Sequence, residues 1–362
     1  MSPTNKALIL PSKDAGEFTL DKRQVPTPGP GQLLVKVHAA ALNPVDDWIR
    51  RMGFLVDRAG GFPAVPGSDG AGTIEAIGEG VEGWSKGDRV VFHGWWYPDH
   101  GTLQQYSLAF ADRTCKIPDS MSFDAAATIP LGLGTASVPM YSTTIDLPPP
   151  HMPGGSLKLT PPWVEGGLGK YARQPIVVLG GSSSVGQFAL QLAKLSGFSP
   201  IITTASAHNA EYCKAAGATH VVDYHAVPYS ELDRTVAEIT KEPIKVVYDA
   251  VSTPESQPAA LALLASGGGM VVTGPSQVGT VNTRVADGKL VVMATGNVNE
   301  VLKREFTNEM YEALPVLLRD GHIKPNNVEV VVGGLAGVRE ALQRVVKGVS
   351  GVKLIVHPQE TA

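Results

Sequence analysis

Short β-branched runs separated by Gly, Pro and Asp fill the first third of the chain: Leu33–Ala41, Ala71–Ile77, Arg89–Phe92 and Tyr106–Leu108. Turn clusters such as Pro28-Gly-Pro-Gly31 and Ser85-Lys-Gly-Asp88 punctuate them. That spacing predicts a compact, mostly antiparallel β domain. From Ile176 the pattern changes. Strands at 176–179, 200–204, 220–223, 245–250 and 269–273 alternate with helical patterns near 185–196, 209–216, 229–240 and 255–264. Such alternation predicts an α/β fold, a doubly wound parallel sheet that takes its ligand at the carboxyl ends of the strands. After the apolar strand Val291–Thr295 come helices near 300–319 and 337–347 and strands at 328–332 and 353–356, read as a tail returning to the first domain. The division expected is 1–125 with 300–362 for the β domain and 126–299 for the α/β domain. The Pro- and Gly-rich segment Leu147–Gln174 reads as an exposed loop. The strand Leu290–Thr295, apolar and near the end of the sheet, could pair across a two-fold axis in a homodimer.

One loop carries chemistry. The strand Val177–Leu179 ends in Gly180 and Gly181; Ser182, Ser183, Ser184 and Val185 follow, and Gly186 opens the helical pattern Gln187–Lys194. A dinucleotide pyrophosphate requires this order: glycine, Gly181 in particular, permits close backbone approach, and the N–H groups of the helix start donate to the anion. One strand on, where an NAD site holds Asp or Glu, stand Ser206, His208 and Asn209. No carboxylate repels a 2′-phosphate there, and hydroxyl, imidazole and amide all donate to phosphate oxygens. Tyr224 places a phenol near the same sheet edge. Val251 and Gly274, just past the strands at 245–250 and 269–273, add two further carboxyl-end positions to the cofactor lining. NADP is the cofactor expected. Ser206 and Asn209 would equally cap a helix, and the two roles are compatible.

Composition narrows the class. The 362 residues exceed what one hydrophobic core usually serves, so two domains are expected. A formal charge of −4 without a basic tract argues against nucleic acid and anionic membrane as partners. Cys115 and Cys213 cannot form a disulfide framework, fit a reducing compartment, and have no cationic pattern beside them to activate either thiol. No signal pattern opens the chain, and no apolar run approaches the roughly 18 residues of a membrane span. A soluble, cytoplasmic protein acting on a small molecule or acyl group is the expectation.

Several landmarks occur in order: Pro28-Gly-Pro-Gly31, Asn43-Pro-Val-Asp46, Pro66-Gly-Ser-Asp-Gly-Ala-Gly72, Gly78-Glu-Gly-Val81, Lys86-Gly-Asp-Arg-Val90, Ala125-Ala-Ala-Thr128 and the Gly180–Gly186 loop. On these the chain resembles the medium-chain dehydrogenase/reductase superfamily over essentially its whole length. Within it, the chain is similar to the zinc-free branch of quinone oxidoreductases and fungal trans-acting enoyl reductases. Gly132-Leu-Gly-Thr-Ala136, Ser196-Gly-Phe198, Ser206-Ala-His-Asn209 and Val352-Lys-Leu-Ile355 carry the enoyl-reductase likeness. The resemblance implies a GroES-like β domain, a Rossmann domain, and Asn43 and Thr135 set against the nicotinamide.

Catalytic zinc needs three close Cys, His or carboxylate ligands. The chain has no Cys-x-x-Cys and no His-Glu-x-x-His. In zinc alcohol dehydrogenases of this superfamily a Cys stands at the place of Asn43 and a His-Glu pair at that of Ser68-Asp69. His93, Asp99 and His100 come nearest to a ligand cluster and read as a satisfied turn. No metal is expected, which disfavours the enzyme alternative of a zinc alcohol dehydrogenase.

Without zinc, and without the Tyr-x-x-x-Lys pair of short-chain reductases, an alkoxide is poorly supported. A conjugated alkene or quinone asks less, because charge spreads over an enolate that neutral donors hold. The activity expected is hydride transfer from NADPH to the activated C=C of an enone, enoyl thioester or quinone. Asn43, Trp48 and Tyr97 are the catalytic candidates. The stretch Asn43–Gly53 resembles the quinone oxidoreductase pattern Asn-x-x-Asp-x-Tyr-x-Arg-x-Gly with Trp48 in place of the tyrosine; fungal enoyl reductases often have Lys near there. Tryptophan gives no proton at neutral pH, though its N–H donates a hydrogen bond. Tyr97 could give one if Trp95-Trp96-Tyr97 lines an apolar cleft between domains; the plainer reading is a packed hairpin tip. Plainer readings also make Asn43 a turn residue and Trp48 core. Tyr106 reads as structural. Trp48 also supports the remaining alternative, a catalytically silent NADP-binding sensor or partner-binding protein.

Overall fold

A computed structural model describes residues 4–54, 56–143, 155–299 and 304–362. The chain divides into two compact units, Met1–Leu131 with Tyr311–Arg319 and Pro325–Ala362, and Gly132–Met310 with Asp320–Lys324. The first begins with an antiparallel hairpin, β1 (Thr4–Ile9) and β2 (Thr19–Gln24). Then come β3 (Gln32–Ala41), α1 (Pro44–Met52), β4 (Asp69–Ile77), β5 (Arg89–His93), β6 (Tyr106–Phe110), β7 (Thr114–Lys116) and α2 (Phe123–Ala127), followed by α3 (Pro130–Tyr141), which belongs to the second unit from Gly132 on. Helix α1 is not among the elements expected from the sequence; Asn43 and Pro44 set its start, and Val45, Trp48, Ile49 and Met52 fall on one face.

The second unit is built on β8 (Ile176–Leu179), α4 (Ser184–Leu195), β9 (Ile201–Ala205), α5 (Ala210–Ala216), β10 (His220–Asp223), α6 (Leu232–Ile239), β11 (Val246–Asp249), α7 (Ser256–Leu263), β12 (Gly269–Val272), β13 (Thr283–Arg284) and β14 (Leu290–Met293). Its sheet runs β10-β9-β8-β11-β12-β14-β13, parallel except for β13. All four residues of Ile176-Val-Val-Leu179 are buried, as a parallel strand covered on both faces requires. Strand order reverses between β8 and β11, and at such a switch point loops diverge to leave a crevice at the carboxyl ends.

The chain continues through α8 (Arg304–Arg319), β15 (Val328–Val331), α9 (Val338–Lys347) and β16 (Lys353–Val356). Strand β16 pairs with β3, giving the order β15-β16-β3-β4-β5-β7 with β6 also on β3. Every pairing in that sheet is antiparallel except β15 with β16. Helix α9 buries Val338, Ala341 and Leu342, spaced as one helical face, against a core that includes Leu354 and Val356. The expected helix near 300–319 is described from Arg304; residues 300–303 lie outside the described residues.

Two expectations are corrected here. The segment read as an exposed loop is packed over 155–164, while 165–174 is mostly exposed as expected. Leu157 and Leu159 donate their N–H groups to the Pro139 and Met140 carbonyls at 2.8 and 2.9 Å, Trp163 meets Tyr141 edge-on, and Tyr171 stacks on Phe198. The last carbonyls of a helix lack intrahelical partners, and this segment supplies them for α3; residues 147–154 lie outside the described residues. The edge of β14 is likewise taken within the chain. Its outward carbonyls at Val291 and Met293 accept N–H groups from Asn282 at 2.6 Å and Gly155 at 3.3 Å, so that strand does not offer a bare edge to a second copy.

Candidate functional site

Strand β8 ends at Leu179, and the chain turns at Gly180 with φ +77°, a left-handed conformation that favours glycine. Strand β9 holds the turn: the Gly180 N–H donates to Thr204 Oγ1 and the Gly181 N–H to the Thr204 carbonyl, both at 3.0 Å. Ser183 caps α4, its Oγ accepting the Gly186 N–H at 3.0 Å. Gln187 Nε2 donates to the Gly181 carbonyl at 2.8 Å. Ser182, Ser184 and Val185 complete a turn into a helix start, the arrangement suited to an anion.

The role expected of Gly181 is corrected. A side chain there would strike Thr203 Oγ1, with Leu190 Cδ1 at 3.0 Å, so its absence makes room for β9 and α4. Thr203 is held in that place because its Oγ1 donates to the Val178 carbonyl at 2.6 Å. At Gly186 a side chain would meet the Gly180 carbonyl, and at Gly180 it would meet Val251 Cγ2. Close packing of loop, strand and helix therefore requires all three.

At the ends of β9 and β10, Ser206 Oγ donates to Tyr224 Oη at 2.9 Å and lies 3.4 Å from His225 Nε2. The Tyr224 and His225 rings are 4.3 Å apart. The Ser206 hydroxyl makes no capping bond, so of its two readings the cap falls to the backbone alone: the Asn209 N–H donates to the Ser206 carbonyl at 2.9 Å. Asn209 is buried at the start of α5, and His208 is exposed. His225 is a group that the sequence reading passed over, although it directly follows Tyr224.

Asp249, at the end of β11, accepts the N–H groups of Val251 and Ser252 at 3.0 and 2.8 Å and the Ser256 hydroxyl at 2.7 Å. Burial raises its pKa against those bonds. This locks Ser252 at φ +55° and leaves Val251 partly exposed beside Gly180. The Ser252 Oγ accepts the Thr273 N–H at 2.7 Å, which brings Gly274 against the same turn. Gly180, Val251 and Gly274 thus meet around Ser252, another residue not singled out from the sequence. Thr135 on α3 is tied to the sheet by its carbonyl, which accepts from Tyr248 Oη at 2.6 Å.

Asn43 lies in the other unit, in a buried polar knot. The Asp46 carboxylate accepts the Asn43 N–H at 2.8 Å and the Gly67 N–H at 3.1 Å. Asn43 Nδ2 donates to Asp69 Oδ2 at 2.8 Å and to the Ala41 carbonyl at 3.3 Å; Lys353 Nζ donates to Asn43 Oδ1 and stands 3.3 Å from Asp69 Oδ2. Asp69 Oδ1 accepts the Leu131 N–H at 2.6 Å. Burial pushes the Asp46 carboxyl up to about 7; the Asn43 N–H and Lys353 pull against that rise, and the Asp69 charge adds to it. The expectation that Asn43 offers its amide to a nicotinamide is corrected. Both amide hydrogens are engaged inside the unit, and the residue is 3% exposed.

Trp48 is half-buried on α1, edge-on to Phe54 at 5.6 Å. Tyr97 stacks on Trp95 and packs edge-on to His100, in a tip closed by the Trp95 and His100 N–H groups donating to the His100 and Tyr97 carbonyls at 2.9 Å. Burial lowers His93 and His100 to about 4, which keeps both neutral; His100 stacks on Phe110, and Asp99 pairs with Arg23 at 2.9 Å. Burial pushes the Cys115 thiol up to about 12 and that of Cys213 to about 11, as structural thiols require. The backbone of Tyr106 is held by the Asn5 side chain.

Among the described residues, no group of three or more His, Cys, Asp and Glu is arranged to hold a metal ion. The places of the zinc ligands do not fit zinc. The Lys353 ammonium occupies the acceptor atoms of Asn43 and Asp69, and Ser68 Oγ accepts from Trp96 Nε1 at 3.2 Å. Among the described residues, no helix is long and apolar enough to cross a membrane.

A doubly wound sheet with a glycine-rich first crossover, in a chain with a second, antiparallel unit, defines a dehydrogenase-type oxidoreductase. Residues 29–119 match the alcohol dehydrogenase GroES-like domain, and residues 184–318 the zinc-binding dehydrogenase domain. The chain belongs to the medium-chain dehydrogenase/reductase superfamily, oxidoreductases that bind nicotinamide cofactors. It is 31% identical over 365 residues to the dehydrogenase orsE of Emericella nidulans, covering 98% of this chain and 99% of that protein. It is 30% identical over 374 residues to the trans-enoyl reductase grgB of a Penicillium species, with 98% and 99% covered. The structure of mycobacterial Rv1454c complexed with NADPH shares the fold, with a TM-score of 0.73, 24% identity, and 98% and 100% covered.

Proposed function

We propose that this chain is an NADPH-dependent reductase, cytoplasmic and metal-independent, that adds hydride to the activated C=C bond of an enone, an enoyl thioester or a quinone. The observation that carries this reading is the Asn43–Asp69–Lys353 knot. It puts an ammonium where the metal-using branch needs anionic ligands, so no Lewis acid steadies an alkoxide. An acceptor that spreads its charge over an enolate or hydroquinone oxyanion suits such a protein. The trans-enoyl reductases among its relatives support the same substrate class.

In this reading the Gly180–Gly186 loop holds the pyrophosphate, with Ser182, Ser183 and Ser184 at its turn. Ser206, His208, Asn209 and Tyr224 receive the 2′-phosphate, and Val251, Gly274 and Thr135 line the rest of the cofactor. When bound, the cofactor supplies the hydride. With Tyr97 packed among aromatics and Trp48 holding no acidic proton, the proton that completes reduction comes from water.

The reaction is tested by deuteride labelling. With labelled NADPH and an enone, the label is expected at the β carbon, and activity should survive chelators. Label at a carbinol carbon would mean carbonyl reduction and overturn the assignment. Cofactor choice is tested by Ser206→Asp, which replaces the hydroxyl facing Tyr224 with a carboxylate. Losing hydrogen bonds to a charged phosphate costs about 1.5–3 kcal/mol, so the NADPH:NADH ratio of kcat/KM should fall roughly tenfold to a hundredfold. Equal use of both cofactors by the unaltered protein would remove the basis for NADP.

A further inference from the structure

We infer that His225 makes recognition of the cofactor's 2′-phosphate proton-dependent, so that affinity for NADPH but not for NADH rises as pH falls. The inference rests on the NADPH reading above and extends it to a residue outside that assignment. Strands β9 and β10 are parallel neighbours with Ala205 paired to Asp223, so the residues that follow them arrive side by side at one sheet edge. There a single hydroxyl, Ser206 Oγ, lies 2.9 Å from Tyr224 Oη and 3.4 Å from His225 Nε2. Ser206 is buried, whereas Tyr224 is 39% exposed and His225 is exposed, so the cluster opens outward from a fixed base.

Charge at this edge decides the sign. Neither segment, 203–209 nor 221–229, contains Lys or Arg. The fixed anion is Asp223, whose Oδ1 accepts the His225 N–H at 3.0 Å. The other titratable groups are His208 on the adjoining turn and Tyr229, whose phenol bonds Thr204 and feels Asp249, Tyr224 and Glu255. With neutral imidazoles, Asp223 therefore repels a phosphate dianion. Imidazole is the ordinary side chain that gains charge between pH 5 and 8. A proton on His225 offsets Asp223 and turns Nε2 into a charged donor beside the Ser206 and Tyr224 hydroxyls. Phosphate monoesters take up their own proton near pH 6, so above that the ligand stays largely dianionic while the imidazole charges.

Dissociation constants for NADPH and NADH, read from nucleotide fluorescence between pH 8.5 and 6.5, test this. For the unaltered protein, NADPH should bind roughly five- to tenfold tighter at the lower pH, the effect of one charge-assisted bond, with NADH nearly flat. His225→Gln keeps a neutral hydrogen-bonding side chain and should flatten the NADPH profile. Melting curves confirm that the variant is folded. If the unaltered protein binds both cofactors equally at every pH, the NADPH reading fails and this inference with it. If it prefers NADPH but His225→Gln keeps the full pH dependence, the cofactor reading stands and the assignment to His225 is overturned.

Discussion

Lys353→Met is expected to destabilise the protein by about 3–5 kcal/mol, the usual cost of leaving a buried charge without its partner. Lys353 is buried, and its ammonium serves both Asn43 Oδ1 and the Asp69 carboxylate. Methionine matches the stem but donates nothing. Asp69 would then face only the Asn43 amide and the Leu131 N–H, with the Asp46 carboxyl nearby. Since whole domains are stable by about 5–15 kcal/mol, this is a large share. Urea unfolding measures it, with Lys353→Met/Asp69→Leu as the companion. Removing both charges should recover much of the loss, because an apolar pair of similar size is often as stable as a buried ion pair. A Lys353→Met protein as stable as the parent would show that the knot is not an ion pair in solution.

Gly181→Val is expected to cost about 1–3 kcal/mol of stability through overpacking and to lose NADPH binding as a consequence. The new side chain meets Thr203 Oγ1 and Leu190 Cδ1. Thr203 cannot turn away without giving up its bond to the Val178 carbonyl, and the neighbouring Thr204 is what holds the Gly180 and Gly181 N–H groups. Relief should come from the same place: Thr203→Ala in the Gly181→Val background is expected to restore part of both stability and binding. Thermal melts and NADPH titration decide between two roles for the glycine. A variant that melts like the parent yet binds no NADPH would show that residue 181 faces the ligand, and the packing account would be wrong.

The fold was legible because its signals are local. The strands near 33–41, 71–77 and 89–92, and every parallel strand from 176 to 273, appear within a residue or two of their expected places. A β-branched run bounded by Gly, Pro or Asp has few other ways to bury itself. The hairpin of β1 and β2 was missed, since its second strand, Thr19–Gln24, is almost wholly exposed and carries no alternation. At the candidate site, the glycine-rich loop and the Ser206–Tyr224 pair were found because motif and strand register together bring them to one edge. His225 and Ser252 were not, because a lone imidazole or serine after a strand has no pattern of its own.

By itself the sequence determined the two-unit α/β class, the glycine-rich loop between strand and helix, the non-acidic edge after β9 and the superfamily. Each depends on side-chain type and spacing over a few tens of residues, where backbone periodicity leaves little choice. The tertiary structure decided what those residues do. Asn43 looked like a free amide until β16, pairing with β3, brought Lys353 from 310 residues away to occupy its oxygen. Gly181 looked like space for a ligand until Thr203, on the neighbouring strand, filled the place where its side chain would be. Hydrogen-bonding capacity and free volume are set by whatever packs alongside, and those neighbours are chosen by strand pairing between distant segments.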